Sequence, residues 1–218
     1  MAYKLYSYFR SSCSWRVRIA LALKGVTADL IPIHLVKNGG EQHSEGYREI
    51  NPIGQLPTLD VGSIQIGQSV AICEYLEEKY PTPPLLPERL EARAKVREMV
   101  QVINSGIQPI QNLSVMQALG SQFNVERPAT LEWSRKWISR GFEALESLTA
   151  RSESRYLIGE EVTMADIFLV PQVYNAHRFS VDMARFPNLT RIDAELAEIP
   201  AFQTSHPSCQ PDTPDELK

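Results

Sequence analysis

A proline-rich segment places the strongest limit on the folds that this sequence can adopt. Four of the seven residues from Pro81 to Pro87 are proline. Proline lacks a backbone N–H and clashes with the preceding helical turn, so a helix cannot continue through the segment and an extended linker is favoured. The apolar pattern also changes across it. The sequence therefore predicts two domains, 1–80 and 88–218, joined by a linker at 81–87.

Short strands and helices alternate before the linker. The alternating run at 4–8 and the apolar run at 28–33 predict strands, and the turn at Gly62-Ser63 predicts a hairpin between 58–61 and 64–66. Apolar residues at helical spacing predict a first helix that opens at the 11–13 segment and is capped by Gly25, and further helices at 44–49 and 70–79. This order predicts an α/β domain.

Helical patterns dominate after the linker. Helices are expected at about 88–116, 129–150, 164–176 and 188–197, with a loop through Pro128. Thr163 and Asp166 have the spacing of a capping box, which nucleates a helix. The proline-rich tail from Ser205 to Lys218 is expected to lie extended over the surface. The second domain is therefore predicted to be all-α.

Composition narrows the classes of function. The chain has 218 residues, 43% of them hydrophobic, and a net charge of −4, which favours neither nucleic acid nor an anionic membrane as a partner. No apolar run reaches transmembrane length and no signal peptide is visible, so a cytoplasmic location is expected. The three cysteines and four histidines show no ligand spacing. We expect no metal and no disulfide framework.

A cluster of hydroxyls and one thiol precedes the first predicted helix. Ser11, Ser12 and Cys13 lie where a strand turns into a helix, and unpaired N–H groups at a helix N-terminus stabilise a thiolate or a carboxylate. Serine is also a preferred N-cap, so helix capping is the alternative interpretation. Arg16 and Arg18 follow, and solvated side chains are the default expectation for both.

Five segments together resemble the cytosolic glutathione transferases, and among them the zeta class, the maleylacetoacetate isomerases. The segments are 11–16, Gln68-Ser69, 106–115, 170–173 and 205–214, and they span almost the whole chain. The resemblance implies a thioredoxin-like α/β N-terminal domain followed by an all-α C-terminal domain. It also implies a homodimer that uses glutathione.

The resemblance assigns the residues that bind glutathione. Ser69 and Gln68 would take the γ-glutamyl end, and Leu56 would offer its backbone to the cysteinyl part beside a cis proline at Pro57. Gln42 would contact the glycyl end. The helical domain would contribute Gln108, Asn112 and Ser114, whereas Gln111 is expected to lie on a polar helix surface or to hydrogen-bond to another helix.

The implied reaction is the glutathione-dependent isomerisation of a cis-olefinic diacid. Thiolate addition, rotation and elimination would convert maleylacetoacetate to fumarylacetoacetate, with glutathione regenerated. Ser11 is the expected thiolate partner, Ser12 and Cys13 are supporting candidates, and Cys13 acting as a nucleophile is an alternative. Arg10 and Arg178 are expected to hold the substrate carboxylates, by the same resemblance. From the sequence alone, Arg16 and Arg18 are alternatives for that role.

Three other functions remain open at this stage. A maleylpyruvate isomerase would share the same thiolate site and differ only in the substrate tail. A general glutathione-conjugating or dehalogenating enzyme would direct the same thiolate at an electrophile such as an α-halo acid. A non-catalytic scaffold of the same fold would be expected to have lost the contacts to glutathione, but Ser11, Gln68 and Ser69 are all present.

Overall fold

The computed structural model describes residues 2–150 and 154–218. Within them, two compact units are formed, one by the chain up to Pro84 together with Ala197–Lys218 and the other by Leu85–Leu196. Residues 197–218, which were expected to continue the second domain, therefore pack with the first unit. None of the described helices is both long enough and apolar enough to cross a membrane.

The first unit contains a four-stranded mixed sheet in the order β2-β1-β3-β4. Strand β1 pairs parallel with β2 and antiparallel with β3, and β3 pairs antiparallel with β4. A helix joins β1 to β2, because parallel strands need a crossover connection. The predicted hairpin joins β3 to β4. The strands and helices are β1 (Tyr3–Ser7), α1 (Ser12–Leu23), β2 (Ala28–Pro32), α2 (Glu45–Ile50), β3 (Thr58–Asp60), β4 (Gln65–Gly67) and α3 (Ser69–Lys79).

Apolar residues from the sheet and its helices form one core. Leu5 and Leu59 of the sheet are fully buried, as are Ile19 of α1 and Ile72 and Leu76 of α3. Their spacing follows the strand period of two and the helix period of 3.6, which is why the sequence predicted these elements to within one or two residues.

Helices are the only regular secondary structure in the described residues of the second unit. Its helices are α4 (Leu90–Asn104), α5 (Leu113–Phe123), α6 (Arg127–Thr149), α7 (Met164–Arg178) and α8 (Pro187–Ala197), the last of which ends at the boundary of the unit. The predicted capping box is present, because the Asp166 carboxylate accepts a hydrogen bond from the Thr163 backbone at 2.7 Å. Burial raises the pKa of Asp166 to about 6, against the opposing effect of its hydrogen bonds.

The prediction of a single helix at 88–116 is wrong, because the helix is interrupted between α4 and α5. A side chain at Gly106 would lie 2.6 Å from the Val102 carbonyl oxygen, and Pro109 cannot donate a helical hydrogen bond. Asn112 then caps α5, which ends at Asn124 with φ at 54°. Part of the expected loop before Pro128 is therefore helix.

The C-terminal tail is folded rather than extended. Helix α9 (Pro200–Ser205) is followed by 3₁₀ turns at Pro207–Cys209 and Asp215–Leu217. The Gln210 side-chain amide donates 2.8 Å to the His206 carbonyl oxygen, and the Thr213 hydroxyl donates to the Pro207 carbonyl oxygen. Pro200 and Pro207 each begin a helical element, where the missing N–H has no intrahelical partner to lose, and these side-chain hydrogen bonds hold the turns that follow.

Candidate active site

The turn between β1 and α1 gathers the predicted hydroxyls and thiol. Ser11 caps α1, and its Oγ accepts a hydrogen bond from the Ser14 backbone at 3.2 Å. Ser12 is buried, whereas Ser11 and Cys13 are half-buried. A serine hydroxyl both accepts and donates, so capping leaves the Ser11 hydrogen to be donated elsewhere. The capping interpretation is therefore confirmed without excluding a thiolate site.

Arg16 links this turn to the start of α3. Its Nη1 donates a hydrogen bond of 3.2 Å to Ser69 Oγ and lies 3.6 Å from Cys13 Sγ. The side chain is fully buried, so the solvated arginine expected at this position is wrong. Burial lowers the pKa of Arg16, and the nearby thiols of Cys13 and Cys73 act in the opposite direction. A buried cation thus lies between the two helix starts predicted to bind glutathione.

Arg18 is also buried rather than solvated. Burial lowers its pKa to about 10, against the effect of the Asp212 carboxylate. The position of Arg18 in the sequence gave only a weak indication that it would be buried. Arg16 lies one helical turn from Cys13, and Arg18 lies one turn from Ser14, but only the tertiary structure shows that both point into the protein.

The start of α3 presents the Gln68-Ser69 pair. Gln68 has φ at 66°, in the left-handed region, and its side chain is exposed with Nε2 at 3.5 Å from Gln55 Oε1. Ser69 is the first residue of α3 and is buried. The N–H groups of this first helical turn favour a carboxylate.

The turn before β3 is held by two side chains that sequence reasoning missed. The Tyr47 hydroxyl and the Asn51 amide donate to the Gln55 carbonyl oxygen at 2.7 and 2.9 Å. The peptide bond between Leu56 and Pro57 is cis, as expected. Among the described residues, no partner hydrogen-bonds to the N–H or C=O of Leu56. This residue therefore offers a free backbone donor and acceptor.

Gln42 is buried beside a left-handed turn. Its Nε2 lies 3.4 Å from the Leu35 carbonyl oxygen and 3.0 Å from His43 Nε2. Within the described chain, its Oε1 has no hydrogen-bond partner. A buried polar atom without a partner is unfavourable, so this amide is available to a ligand or to water.

The predicted residues of the second unit lie around the break between α4 and α5. Asn112 Oδ1 accepts hydrogen bonds from the backbone and hydroxyl of Ser114, each at 3.1 Å. Gln108 Oε1 accepts from Gln111 Nε2 at 3.1 Å. Gln111 lies in the segment between α4 and α5 rather than on a helix, and its Nε2 donates to Gln172 Oε1 on α7 at 3.4 Å, so the expected hydrogen bond to another helix is present.

The two arginines expected to bind substrate lie in different units. Arg10 is half-buried and lies over the Phe9 ring, with 5.7 Å between its Cζ and the ring centroid. Arg178, at the end of α7, is exposed and donates 3.0 Å to Asn175 Oδ1. Among residues 2–150 and 154–218, no cluster of three or more His, Cys, Asp or Glu side chains is arranged to hold a metal ion.

Comparison with known families identifies this architecture. Residues 5–84 match the glutathione S-transferase N-terminal domain and residues 115–204 match its C-terminal domain. The chain belongs to the glutathione S-transferase family. The fold is therefore the thioredoxin-like α/β and all-α combination that the sequence predicted.

Individual relatives narrow the family to one class. Maleylacetoacetate isomerase of Rattus norvegicus is 51% identical over 98% of this chain and 96% of that protein. Holo maleyl pyruvate isomerase, a bacterial zeta-class enzyme, superposes with a TM-score of 0.94 at 40% identity, covering 97% of this chain and 100% of the other. The maleylacetoacetate isomerase of Anaeromyxobacter dehalogenans 2CP-1 with bound glutathione gives a TM-score of 0.87 at 40% identity over 98% of each chain. The chain falls in the zeta class with these isomerases.

Proposed function

We propose that the protein is a glutathione-dependent isomerase that converts maleylacetoacetate to fumarylacetoacetate in tyrosine and phenylalanine catabolism, with side activity as a glutathione transferase on α-halo acids. The observation that carries this proposal is the buried Arg16 guanidinium that joins Cys13 to Ser69, in a chain half identical to maleylacetoacetate isomerases. An intact site of this kind argues against a non-catalytic scaffold.

Three features of the first unit fit glutathione. The start of α3 provides Ser69 and free N–H groups for the γ-glutamyl carboxylate, with Gln68 beside it. Leu56 has a free backbone donor and acceptor that match those of a cysteinyl residue. Gln42 has a buried amide oxygen without a described partner near the expected glycyl end. In the second unit, Gln108, Asn112 and Ser114 are proposed as additional contacts.

The chain's own groups would favour a thiolate at the start of α1. Bound glutathione supplies the thiolate that adds to the cis double bond and leaves after rotation. The Ser11 hydroxyl, already oriented by the Ser14 backbone, would donate its hydrogen to the sulfur. The N-terminal N–H groups of α1 would lower the pKa of that thiol further, with Ser12 and Cys13 in supporting roles.

Cations would hold the dianionic substrate. We assign this role to Arg10 and Arg178, because a guanidinium binds a carboxylate through two parallel hydrogen bonds. Asn175 orients the Arg178 side chain, because its Oδ1 accepts a hydrogen bond of 3.0 Å from Arg178 Nη1. The two charges would also favour the negative charge that develops on the substrate during addition.

We also propose a cytoplasmic homodimer. Three free cysteines are typical of a reducing compartment. On the first unit, Ile53 and Ile64 are 58% and 54% exposed, and a second copy could cover such apolar side chains.

A maleylpyruvate isomerase is the second candidate. The structural similarity to holo maleyl pyruvate isomerase favours it, since that enzyme is 40% identical over nearly the whole chain. The two reactions need the same thiolate and the same diacid cations, and they differ in the tail of the substrate. Direct comparison of the two substrates is therefore the informative experiment.

The test is a spectrophotometric isomerase assay with each substrate, run with glutathione, with S-methylglutathione and without either. S-methylglutathione has the same peptide groups but no free thiol, so it separates binding from chemistry. We expect turnover of maleylacetoacetate only with glutathione. Strong preference for maleylpyruvate would support the second candidate, and the absence of turnover with both substrates would contradict the isomerase function.

A further inference from the structure

The C-terminal tail holds the loop that carries the thiolate site, and Arg18 is one of the two residues that connect them. Its guanidinium donates hydrogen bonds to Ser7 Oγ at 3.1 Å, to the Tyr8 carbonyl oxygen at 3.4 Å and to the Phe9 carbonyl oxygen at 2.8 Å. Its Nε donates 3.2 Å to the carbonyl oxygen of Ser205 in α9. One buried side chain thus binds the loop on one side and the tail on the other.

Asp212 is the second connection. Its Oδ2 accepts a hydrogen bond of 2.8 Å from the Phe9 backbone, across 203 residues of sequence. The Asp212 carboxylate also interacts electrostatically with Arg18. The His206 ring packs edge-on against Trp15 of α1 with 5.2 Å between ring centroids. Arg18 and Asp212 together therefore bind both the N–H and the C=O of Phe9.

The bound loop leads directly into the candidate active site. Residues 8–10 lie beyond the end of β1, outside the strand pairing of the sheet. The Ser11 backbone donates 3.0 Å to the Tyr8 carbonyl oxygen, which Arg18 also contacts. The position of Ser11 is thus fixed by a peptide group that depends on the tail. Arg10 follows Phe9 directly and is subject to the same restraint.

We propose that Asp212 and Arg18 are positioning residues of the thiolate site, through which the C-terminal tail fixes the loop that orients Ser11. This inference rests on the proposed function, because it takes Ser11 as the thiolate partner. Asp212 touches neither substrate nor glutathione in this scheme. It acts by holding Phe9, and a displacement of well under a bond length at Ser11 weakens a hydrogen bond to sulfur.

The test uses the full-length protein and glutathione as the probe. The pKa of the bound thiol is measured from its ultraviolet thiolate absorbance as a function of pH, for the wild type and for Asp212→Ala, Asp212→Asn and Ser11→Ala. Asp215→Ala is the matched control, since Asp215 lies in the same tail and pairs only with Lys218 among the described ion pairs. The same variants are compared for kcat, KM for glutathione and thermal midpoint.

We expect Asp212→Ala to raise the thiol pKa by about half a unit or more and to lower kcat about tenfold, with a small change in KM for glutathione. Asn keeps an acceptor for the Phe9 N–H, so Asp212→Asn should lie close to the wild type. In the Ser11→Ala background, Asp212→Ala should produce no further change in the thiol pKa. Asp215→Ala should match the wild type in every measurement.

Other outcomes separate this proposal from the proposed function. If Asp212→Ala lowers the thermal midpoint but leaves the thiol pKa unchanged, the positioning role is overturned and Asp212 is a purely stabilising residue. If Asp212→Ala shifts the thiol pKa equally in the wild-type and Ser11→Ala backgrounds, the effect does not pass through Ser11. If Asp212→Ala fails to fold, Asp212→Asn decides, because a shift there despite the retained acceptor would contradict the hydrogen-bond argument. If the wild type binds glutathione without lowering its thiol pKa, the proposed function and this inference both fail, before any variant is compared.

Discussion

Arg16 donates a hydrogen bond to Ser69 Oγ over 3.2 Å, and this bond joins helix α1 to the first residue of helix α3. The same nitrogen lies 3.6 Å from Cys13 Sγ. Burying a guanidinium is costly unless it is hydrogen-bonded, and here the Ser69 hydroxyl and the Cys13 sulfur both accept from it. A carboxylate and a thiolate bound beside it would stabilise its charge further.

Replacing Arg16 by lysine should weaken glutathione binding. Lysine keeps the charge but has a shorter side chain without the guanidinium Nη1, the nitrogen that reaches both Ser69 and Cys13. Loss of one hydrogen bond to a charged group corresponds to about tenfold or more in the dissociation constant. Isothermal titration calorimetry measures the dissociation constant of glutathione for each variant. Arg48→Lys, on the exposed face of α2, is the control. An unchanged affinity in Arg16→Lys would show that the buried cation does not serve glutathione.

Ser11→Ala should remove most of the isomerase activity. The variant loses the hydroxyl hydrogen available to the thiol, and loss of one such donor costs about a hundredfold in kcat. It also loses a helix cap, which costs about 1 kcal/mol of stability. Ser44→Ala is the matched control, because Ser44 caps α2 by accepting from the Tyr47 backbone at 3.3 Å.

The two variants separate capping from chemistry. Both should lose a similar amount of free energy of unfolding in urea, and only Ser11→Ala should lose turnover. Cys13→Ala should retain turnover if the thiol has only a supporting role. Full activity in Ser11→Ala combined with an inactive Cys13→Ala would favour the alternative in which Cys13 is the nucleophile.

Sequence patterns predicted the first unit better than the second. Strands and helices there are short, and turn residues such as Gly62 and Pro57 separate them, so local signals mark most boundaries. In the second unit, the apolar pattern continues across Gly106 and Pro109, and this obscured the break between α4 and α5. A period of 3.6 residues records which face is buried and carries little information about where the backbone is interrupted.

The candidate site shows a similar division. Ser11, Gln68 and Ser69 could be found because a helix N-terminus has a local signature. The burial of Arg16 and the link from Asp212 to Phe9 depend on pairs of residues that lie 53 and 203 positions apart. No local pattern contains that information. Arginine is usually exposed, so the general expectation was wrong for Arg16 and Arg18 alike.

Arg178→Ala should raise KM for the diacid substrate far more than KM for glutathione. A guanidinium on a substrate carboxylate contributes about 1.5–3 kcal/mol, so an increase of about tenfold to a hundredfold is expected. Steady-state kinetics with each substrate varied in turn measure the two values. Arg140→Ala is the control, because Arg140 is an exposed arginine of the same unit that packs over Trp137. An unchanged KM for the diacid would exclude this role for Arg178.

Glu77→Gln should destabilise the first unit strongly. Glu77 Oε2 accepts from Lys24 Nζ at 2.6 Å, and the two side chains are 8% and 0% exposed. Removing the carboxylate charge leaves the buried Lys24 ammonium without its counter-charge, which costs about 3–5 kcal/mol. Glu98→Gln is the matched control, since its pair with Lys95 has the same length but side chains that are 46% and 60% exposed.

Urea unfolding measures both variants of these ion pairs. The exposed pair should contribute less than about 1 kcal/mol, because water and salt screen it. The hydrogen bond of 2.5 Å from Lys24 Nζ to the Pro83 carbonyl oxygen ties the same charge to the linker, so the loss should also affect residues 81–84. Equal losses in the two variants would contradict the buried-pair argument.

Asp193→Asn should stabilise the protein above neutral pH. Burial on α8 raises the pKa of Asp193 to about 7, from an ordinary value near 3.8. Between these two values the folded state binds the proton more tightly than the unfolded state, so the free energy of unfolding of the wild type should fall as pH rises from about 4 to about 7. Asparagine cannot ionise, so Asp193→Asn does not show this loss. Its free energy of unfolding at pH 8 should exceed that of the wild type by about 1–2 kcal/mol, once partial exposure is taken into account. Urea unfolding of the wild type, Asp193→Asn and the exposed control Asp29→Asn at about pH 4.5 and 8 tests the sign. If the difference in free energy of unfolding between the wild type and Asp193→Asn is the same at both pH values, the Asp193 carboxyl titrates normally in the folded protein.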